Sequence, residues 1–234
     1  MAFLKNSNHP NAGMIMAFPT CIYQSQYTEY VKYNPILLNR IYKMREQDTV
    51  SNNLSKIHYG VGWTSYHATD GNYTSDYNLD NLEIFKPLSE FIWNSVLEYV
   101  KFVGYSVNNL QTIRLGVVWA NINSKYSYHE QHTHPNSYLS GVYYLKVPKN
   151  SGKINFIDPR NAMRSIELAP DQERTLTDPL VRNIEVDAQE GYLLLFPSWL
   201  GHEVQQNLSD DDRVSIAFNI IPDYVKIADR INNK

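Results

Sequence analysis

From Thr112 onward the chain breaks into short apolar runs separated by turn-forming residues, at intervals of roughly 8–12 residues. Runs this short bury themselves by pairing with neighbours, so the pattern restricts the second half to an all-β sandwich or barrel. Strands are expected near 113–121, 138–146, 153–157, 182–186, 192–196 and 213–220. Lys149-Asn150-Ser151-Gly152 and Ser209-Asp210-Asp211-Asp212 have turn composition. The first half reads differently. Asn34-Pro35 looks like a helix start, with Asn as cap and Pro at the first position, and Ile36, Leu37, Ile41 and Met44 follow at helical spacing over 35–47. A second helix, capped at Asp80 or Asn81, carries a stripe from Leu82 through Phe85, Leu88, Ile92 and Val96 to Val103. Pro87 either kinks it or marks its first turn, and Gly104 ends it. Met14–Tyr23 reads as an edge strand or two short ones, and Gly62–His67 as a further strand.

Two helices followed by antiparallel strands predict a mainly β fold, a jelly roll buttressed by N-terminal helices. The 234 residues suit a single domain, with 1–110 supplying helices and supporting strands and 111–222 the β core. Hydrophobic residues at 43% and charged residues at 19% describe an ordinary soluble globular protein. A formal net charge of −3 argues against a nucleic-acid partner. No run of ~18 apolar residues and no leader-like N-terminus is present, so neither a membrane nor export is expected, and the location reads as cytoplasmic. Cys21 is the single cysteine, which fits a reducing compartment.

The chemistry concentrates in Tyr128-His129-Glu130-Gln131-His132-Thr133-His134, just ahead of the strand from Tyr138. Imidazole suits first-row metals, and side chains two apart on a strand share a face, so His132 and His134 can grip one ion. His202, at the end of the run from Tyr192, supplies a distant third ligand. His129 is an odd number of positions from His132 and is expected on the opposite face. Glu130 shares the parity of His132 and stands as an alternative carboxylate. Arg213 follows His202 by eleven positions, with Ser215 two further on and facing the same way. A guanidinium there could bind a carboxylate bidentately, or pair with Asp210, Asp211 or Asp212.

The order His-x-His, distal His, then Arg resembles the iron(II)- and 2-oxoglutarate-dependent oxygenases. Leu139-Ser140-Gly141-Val142-Tyr143-Tyr144-Leu145, Asp158-Pro159-Arg160, Leu195-Phe196-Pro197-Ser198-Trp199-Leu200 before His202, and Arg213-x-Ser215-x-x-Phe218-Asn219 are similar to its prolyl-hydroxylase-like branch found in marine bacteria and phages. Roughly residues 110–222 are covered. The resemblance implies a double-stranded β-helix, iron(II) held by His132, His134 and His202, and 2-oxoglutarate anchored by Arg213, Ser215 and Tyr144. Asn121 is expected to line the same site. Dioxygen is the other co-substrate and hydroxylation the default outcome. His134 occupies the position where the superfamily usually has Asp. Phe196, Trp199 and Leu200 are expected to pack around the distal histidine, and Arg160 to pin a loop.

Two other classes stay open on the residues: a three-histidine cupin-type dioxygenase without 2-oxoglutarate, and a non-catalytic jelly-roll binding or virion-associated protein. The loops 49–78 and 149–178 are expected to form the rim. Their composition suits a peptide or protein side chain, a sugar or a small metabolite, and a homodimer is left open.

Overall fold

The computed structural model describes residues 3–4, 14–15, 18–48, 51, 62–69, 75–160 and 183–232. Its strands are β1 (Phe3–Leu4), β2 (Met14–Ile15), β3 (Tyr23–Gln26), β4 (Trp63–Thr64), β5 (Ile113–Asn123), β6 (His129–His132), β7 (Leu139–Lys146), β8 (Ile154–Ile157), β9 (Asn183–Val186), β10 (Tyr192–Pro197), β11 (His202–Val204) and β12 (Arg213–Pro222). A six-stranded sheet runs β3-β10-β7-β12-β5-β4, and a four-stranded sheet runs β6-β11-β8-β9. This is the double-sheet, mainly antiparallel β fold with helices that the strand spacing predicts.

The six-stranded sheet is buried on both faces. Val118, Ala120, Ile122, Tyr143, Leu193, Leu195, Val214, Ile216 and Phe218 face the helices Tyr30–Gln47 and Lys86–Phe102 in one apolar cluster. The alternate residues Tyr144, Leu194 and Phe196 join Ile154 and Phe156 of the smaller sheet in a second cluster. Strand side chains alternate between faces, so one set of strands serves both cores.

Several expectations change in detail. The first helix begins at Tyr30, not at 35, and Asn34 is a buried interior residue instead of the cap. Asn34 donates to the Leu145 carbonyl at 3.0 Å and accepts the Tyr143 hydroxyl at 2.7 Å, so contacts with β7 override the local start signal. The second helix spans Lys86–Phe102 with Pro87 in its first turn, where the missing N–H costs nothing. Only Trp63–Thr64 of the Gly62–His67 segment is strand, and Tyr66–Thr69 is a helical turn. Met14–Ile15 pairs with Phe3–Leu4, whereas the edge strand of the large sheet is β3. Much of the two rim loops, at 49–50, 52–61, 70–74 and 161–178, lies outside the described residues.

Each sheet contains one irregularity that matters for the site. Between β12 and β5, Phe218 faces Val118 and Ile220 faces Leu115, so β5 carries one extra residue opposite Asn219. Between β11 and β6, His202 faces His132 and Val204 faces His129, so β6 carries one extra residue too. An extra residue reverses side-chain parity beyond it.

Candidate metal centre

His132 closes β6 and His202 opens β11, and the two are register partners. His134 stands two residues beyond the strand end, its amide donating to the Ser198 carbonyl at 2.9 Å. The ring centres are 4.4 Å apart for His132 and His202, 5.1 Å for His132 and His134, and 5.2 Å for His134 and His202. One ligand nitrogen from each lies within 4.8 Å of the others, close enough to share an ion.

Hydrogen bonds select the nitrogens that face it. Nδ1 of His132 lies 2.7 Å from the Glu130 carbonyl, and Nδ1 of His202 lies 3.0 Å from the Leu200 carbonyl. A carbonyl can only accept, so each Nδ1 carries the proton and each Nε2 presents its lone pair. Burial, with repulsion from His132 and His202, pushes His134 down to about 3. Burial and His132 push His202 down to about 4. Both stay neutral near pH 7, the form that ligates a metal. The donor set therefore fits a divalent first-row ion. Glu130 is solvent-exposed and offers this cluster its backbone carbonyl, which removes it as the alternative carboxylate.

His129 is a correction. Expected on the opposite face, it lines the same cavity as the three histidines because of the extra residue in β6. Asn123 Nδ2 lies 3.0 Å from its Nε2. Burial, then the positive charge of Arg213, pushes it down to about 3. Nothing in the residues around it announces the irregularity.

The cavity, about 270 Å³, lies between the sheets and is also lined by Asn121, Tyr144, Arg213 and Ser215. Arg213 is 2% exposed. Its Nη1 donates to the carbonyls of Ser151 at 2.8 Å and Gly152 at 3.3 Å. Gly152 has φ +84°, and a Cβ there would meet the Gln205 carbonyl oxygen at 2.5 Å, so the turn that supplies those carbonyls needs glycine. The acidic alternatives are otherwise engaged: Asp212 with Arg45, Asp211 with Lys146 and Asp210 with Lys125. Among the described residues no carboxylate pairs with Arg213. Burial lowers its pKa, a mark of a cation missing an anionic partner. Tyr144, pushed up to about 12 by burial, senses the same guanidinium.

Around the histidines, the Phe196 ring sits edge-on to His202 at 4.7 Å and Leu200 is buried, as expected. Trp199 is 58% exposed, so it is a surface residue and not packing. Arg160 binds Asp158 through Nε and Nη2 and so pins its loop. Asn219 accepts from Ser140 at 2.8 Å and lies 3.5 Å from Nδ1 of His134.

Fold and site together define a class: a double-sheet β protein in which three histidines and an arginine, without a carboxylate partner among the described residues, open on a single cavity. Residues 117–219 match the family described as "Putative 2OG-Fe(II) oxygenase". This stretch, under half of the chain, contains Arg213 and the three histidines that could share a metal ion. None of the curated proteins matches the chain. Its fold is similar to a prolyl-4-hydroxylase from Pseudomonas putida, at 10% identity and TM-score 0.56 over 87% of this chain and 93% of that one. It is also similar to HygX from Streptomyces hygroscopicus, crystallised with nickel, 2-oxoglutarate and hygromycin B, at 16% identity and TM-score 0.56 over 88% and 84%. An oxidoreductase of the 2OG-Fe(II) oxygenase family from Burkholderia pseudomallei aligns over 60% of this chain and 59% of its own length, at 13% identity and TM-score 0.42. Among the described residues no helix is long and apolar enough to cross a membrane.

Proposed function

We propose that the chain is a hydroxylase that couples decarboxylation of 2-oxoglutarate to oxidation of an organic substrate. The observation that carries this reading is Arg213, a buried guanidinium without a carboxylate partner among the described residues, on the cavity that holds the three histidines. A buried cation is costly unless paired, and a dicarboxylic co-substrate supplies the missing charge. A dioxygenase that binds its substrate directly to iron has no use for that group, and a binding module has no use for either feature.

His132, His134 and His202 would hold iron(II), and Arg213 would hold the distal carboxylate, with Ser215 and Tyr144 offering hydroxyl donors beside it and Asn121 lining the wall. His129, neutral and close to Arg213, gives that end of the cavity another polar contact. Three neutral imidazoles leave the metal more positive than two histidines and a carboxylate would, which favours the anionic keto-acid end. With both groups bound, one atom of dioxygen ends in succinate and the other in the substrate hydroxyl, as carbon dioxide leaves. The protein's own contribution is placement. The backbone carbonyls fix two rings, and the apolar cluster of Phe156, Phe196 and Leu200 shields one side of the site from water.

The fold is shared with a prolyl-4-hydroxylase from P. putida and with HygX, crystallised with hygromycin B, so prolyl and sugar-bearing substrates are both candidates. The test is succinate release from 2-oxoglutarate by iron-loaded protein, with metal content measured alongside. Release that requires iron, dioxygen and 2-oxoglutarate is expected. Protein that binds iron but leaves 2-oxoglutarate unbound and intact would turn the reading toward the direct-binding dioxygenase.

A further inference from the structure

A second cavity, about 310 Å³, adjoins the first and shares Tyr66, Trp119 and Asn219 with it. Its existence follows from the extra residue in β5. Val118, Ala120 and Ile122 point to the helices, and beyond the irregularity Ile113 and Leu115 take over that role. Parity is therefore reversed between Leu115 and Val118, and Arg114 and Gly116 join Trp119 on the inner face. On β12 the inner row of Ala217 and Asn219 continues to Ile221. The inner face of the large sheet thus runs on past the histidines into a second chamber.

The walls of that chamber have a definite chemistry. Tyr66 is 44% exposed and packs edge-on against Trp119, with ring centres 5.1 Å apart. Tyr224, 70% exposed, adds another aromatic face. Asn136, Ser137 and Asn219 supply amide and hydroxyl groups. Arg114 adds a guanidinium to the wall, while Asp223 nearby pairs with Lys226 at 3.5 Å. At Gly116 an added Cβ would meet the Asn219 carbonyl oxygen at 3.2 Å and Ile221 at 3.4 Å, so a larger residue would crowd this wall.

We propose that this chamber seats the substrate, and that the substrate presents to it one hydroxylated ring of the carbohydrate type. The proposal rests on the oxygenase reading above and deepens it. Sugar C–H bonds next to oxygen are polarised positive and settle on the negative faces of Tyr and Trp rings. Ring hydroxyls both donate and accept, which matches a wall of amides and a hydroxyl. The chamber is at the lower end of small-molecule pockets, so it takes one ring and not a folded domain. Its position next to Trp119 and Asn219, which border His134, brings the guest beside the metal centre.

The test uses the full chain loaded with zinc, which is redox-inert, and 2-oxoglutarate. Saturation-transfer NMR is run with the methyl glycosides of glucose, galactose and mannose, and with a proline-containing hexapeptide. Binding of at least one glycoside is expected, reduced at least tenfold in both Gly116→Val and Tyr224→Ala, while the hexapeptide gives no signal. Because Tyr224 is largely exposed, its variant keeps the test interpretable if Gly116→Val folds poorly. Glycoside binding that survives Tyr224→Ala overturns the placement of the site. Binding of the hexapeptide alone, or of neither probe, overturns the carbohydrate assignment. Zinc and 2-oxoglutarate titrations on the same samples report on the oxygenase reading separately, since loss of either in the unaltered protein strikes that reading and not the chamber.

Discussion

Arg213 and His134 are the two residues at which a single substitution says most. Replacing Arg213 by Ala removes a buried, charge-assisted contact of about 1.5–3 kcal/mol, so 2-oxoglutarate should bind roughly 10- to 150-fold more weakly. Metal affinity should be little changed, because the guanidinium bonds to the Ser151 and Gly152 carbonyls and not to the histidines. Calorimetry on the metal-loaded variant checks this, and unaltered 2-oxoglutarate affinity would locate the anchor elsewhere. His202→Ala should abolish stoichiometric metal, measured by elemental analysis, with the fold retained in circular dichroism. His134→Asp restores the carboxylate common in the superfamily and should keep the metal, whereas His134→Ala should weaken it by at least about 100-fold, more than the loss of a mere orienting partner. If the alanine variant keeps full metal affinity, the three-histidine set is wrong. That His132, His134 and His202 lie together beside Arg213 was legible in the sequence because each sits at or near the end of a strand-like run, and that spacing survives whatever the intervening loops do. His129 was not legible, because its direction depends on one extra residue that no local pattern marks.

At the scale of the element, the helix Tyr30–Gln47 shows how long-range bonds overrule local signals. Asn34-Pro35 has the form of a helix start, yet the helix runs through it. Pro35 removes one intrahelical hydrogen bond, a cost the helix bears while Asn34 is held by Leu145 and Tyr143 of β7. Asn34→Leu should leave the Tyr143 hydroxyl and the Leu145 carbonyl without that partner. A loss of about 1–3 kcal/mol in urea unfolding is expected, with metal affinity retained. Stability within 0.5 kcal/mol of the parent, a bound typical of inert surface changes, would show that Asn34 is dispensable. The main strands β5, β7, β10 and β12 were readable because each is an apolar run bounded by turn-forming residues. The short pieces β6 and β11 were not, since four and three residues rich in His, Glu and Gln carry no apolar alternation.

For the whole molecule, the buried imidazoles link stability to acidity. His129 and His134 titrate near 3 and His202 near 4 in the folded chain, against about 6.5 unfolded. Below about pH 6.5 the unfolded chain takes up protons that the folded chain refuses. Stability is therefore complete above that pH and declines as the pH falls toward 4, by up to about 1.4 kcal/mol per unit for each imidazole that stays neutral. Thermal melts of metal-free protein at pH 7.5 and 5 should show a clear drop, and equal midpoints would contradict the burial of these rings. The two-sheet architecture was readable from strand spacing, but the pairing order was not, because spacing along a chain carries no information on which strands become neighbours. That order has a consequence for how the protein is made. β12, the last strand, is inserted between β5 and β7 and bonds to both. A nascent chain halted before residue 213 already contains every histidine of the metal centre, yet it exposes two open strand edges and lacks the arginine. Such a truncated product would lack the proposed co-substrate anchor and offer its edges to other chains, so ribosomal stalling late in this message would yield aggregates.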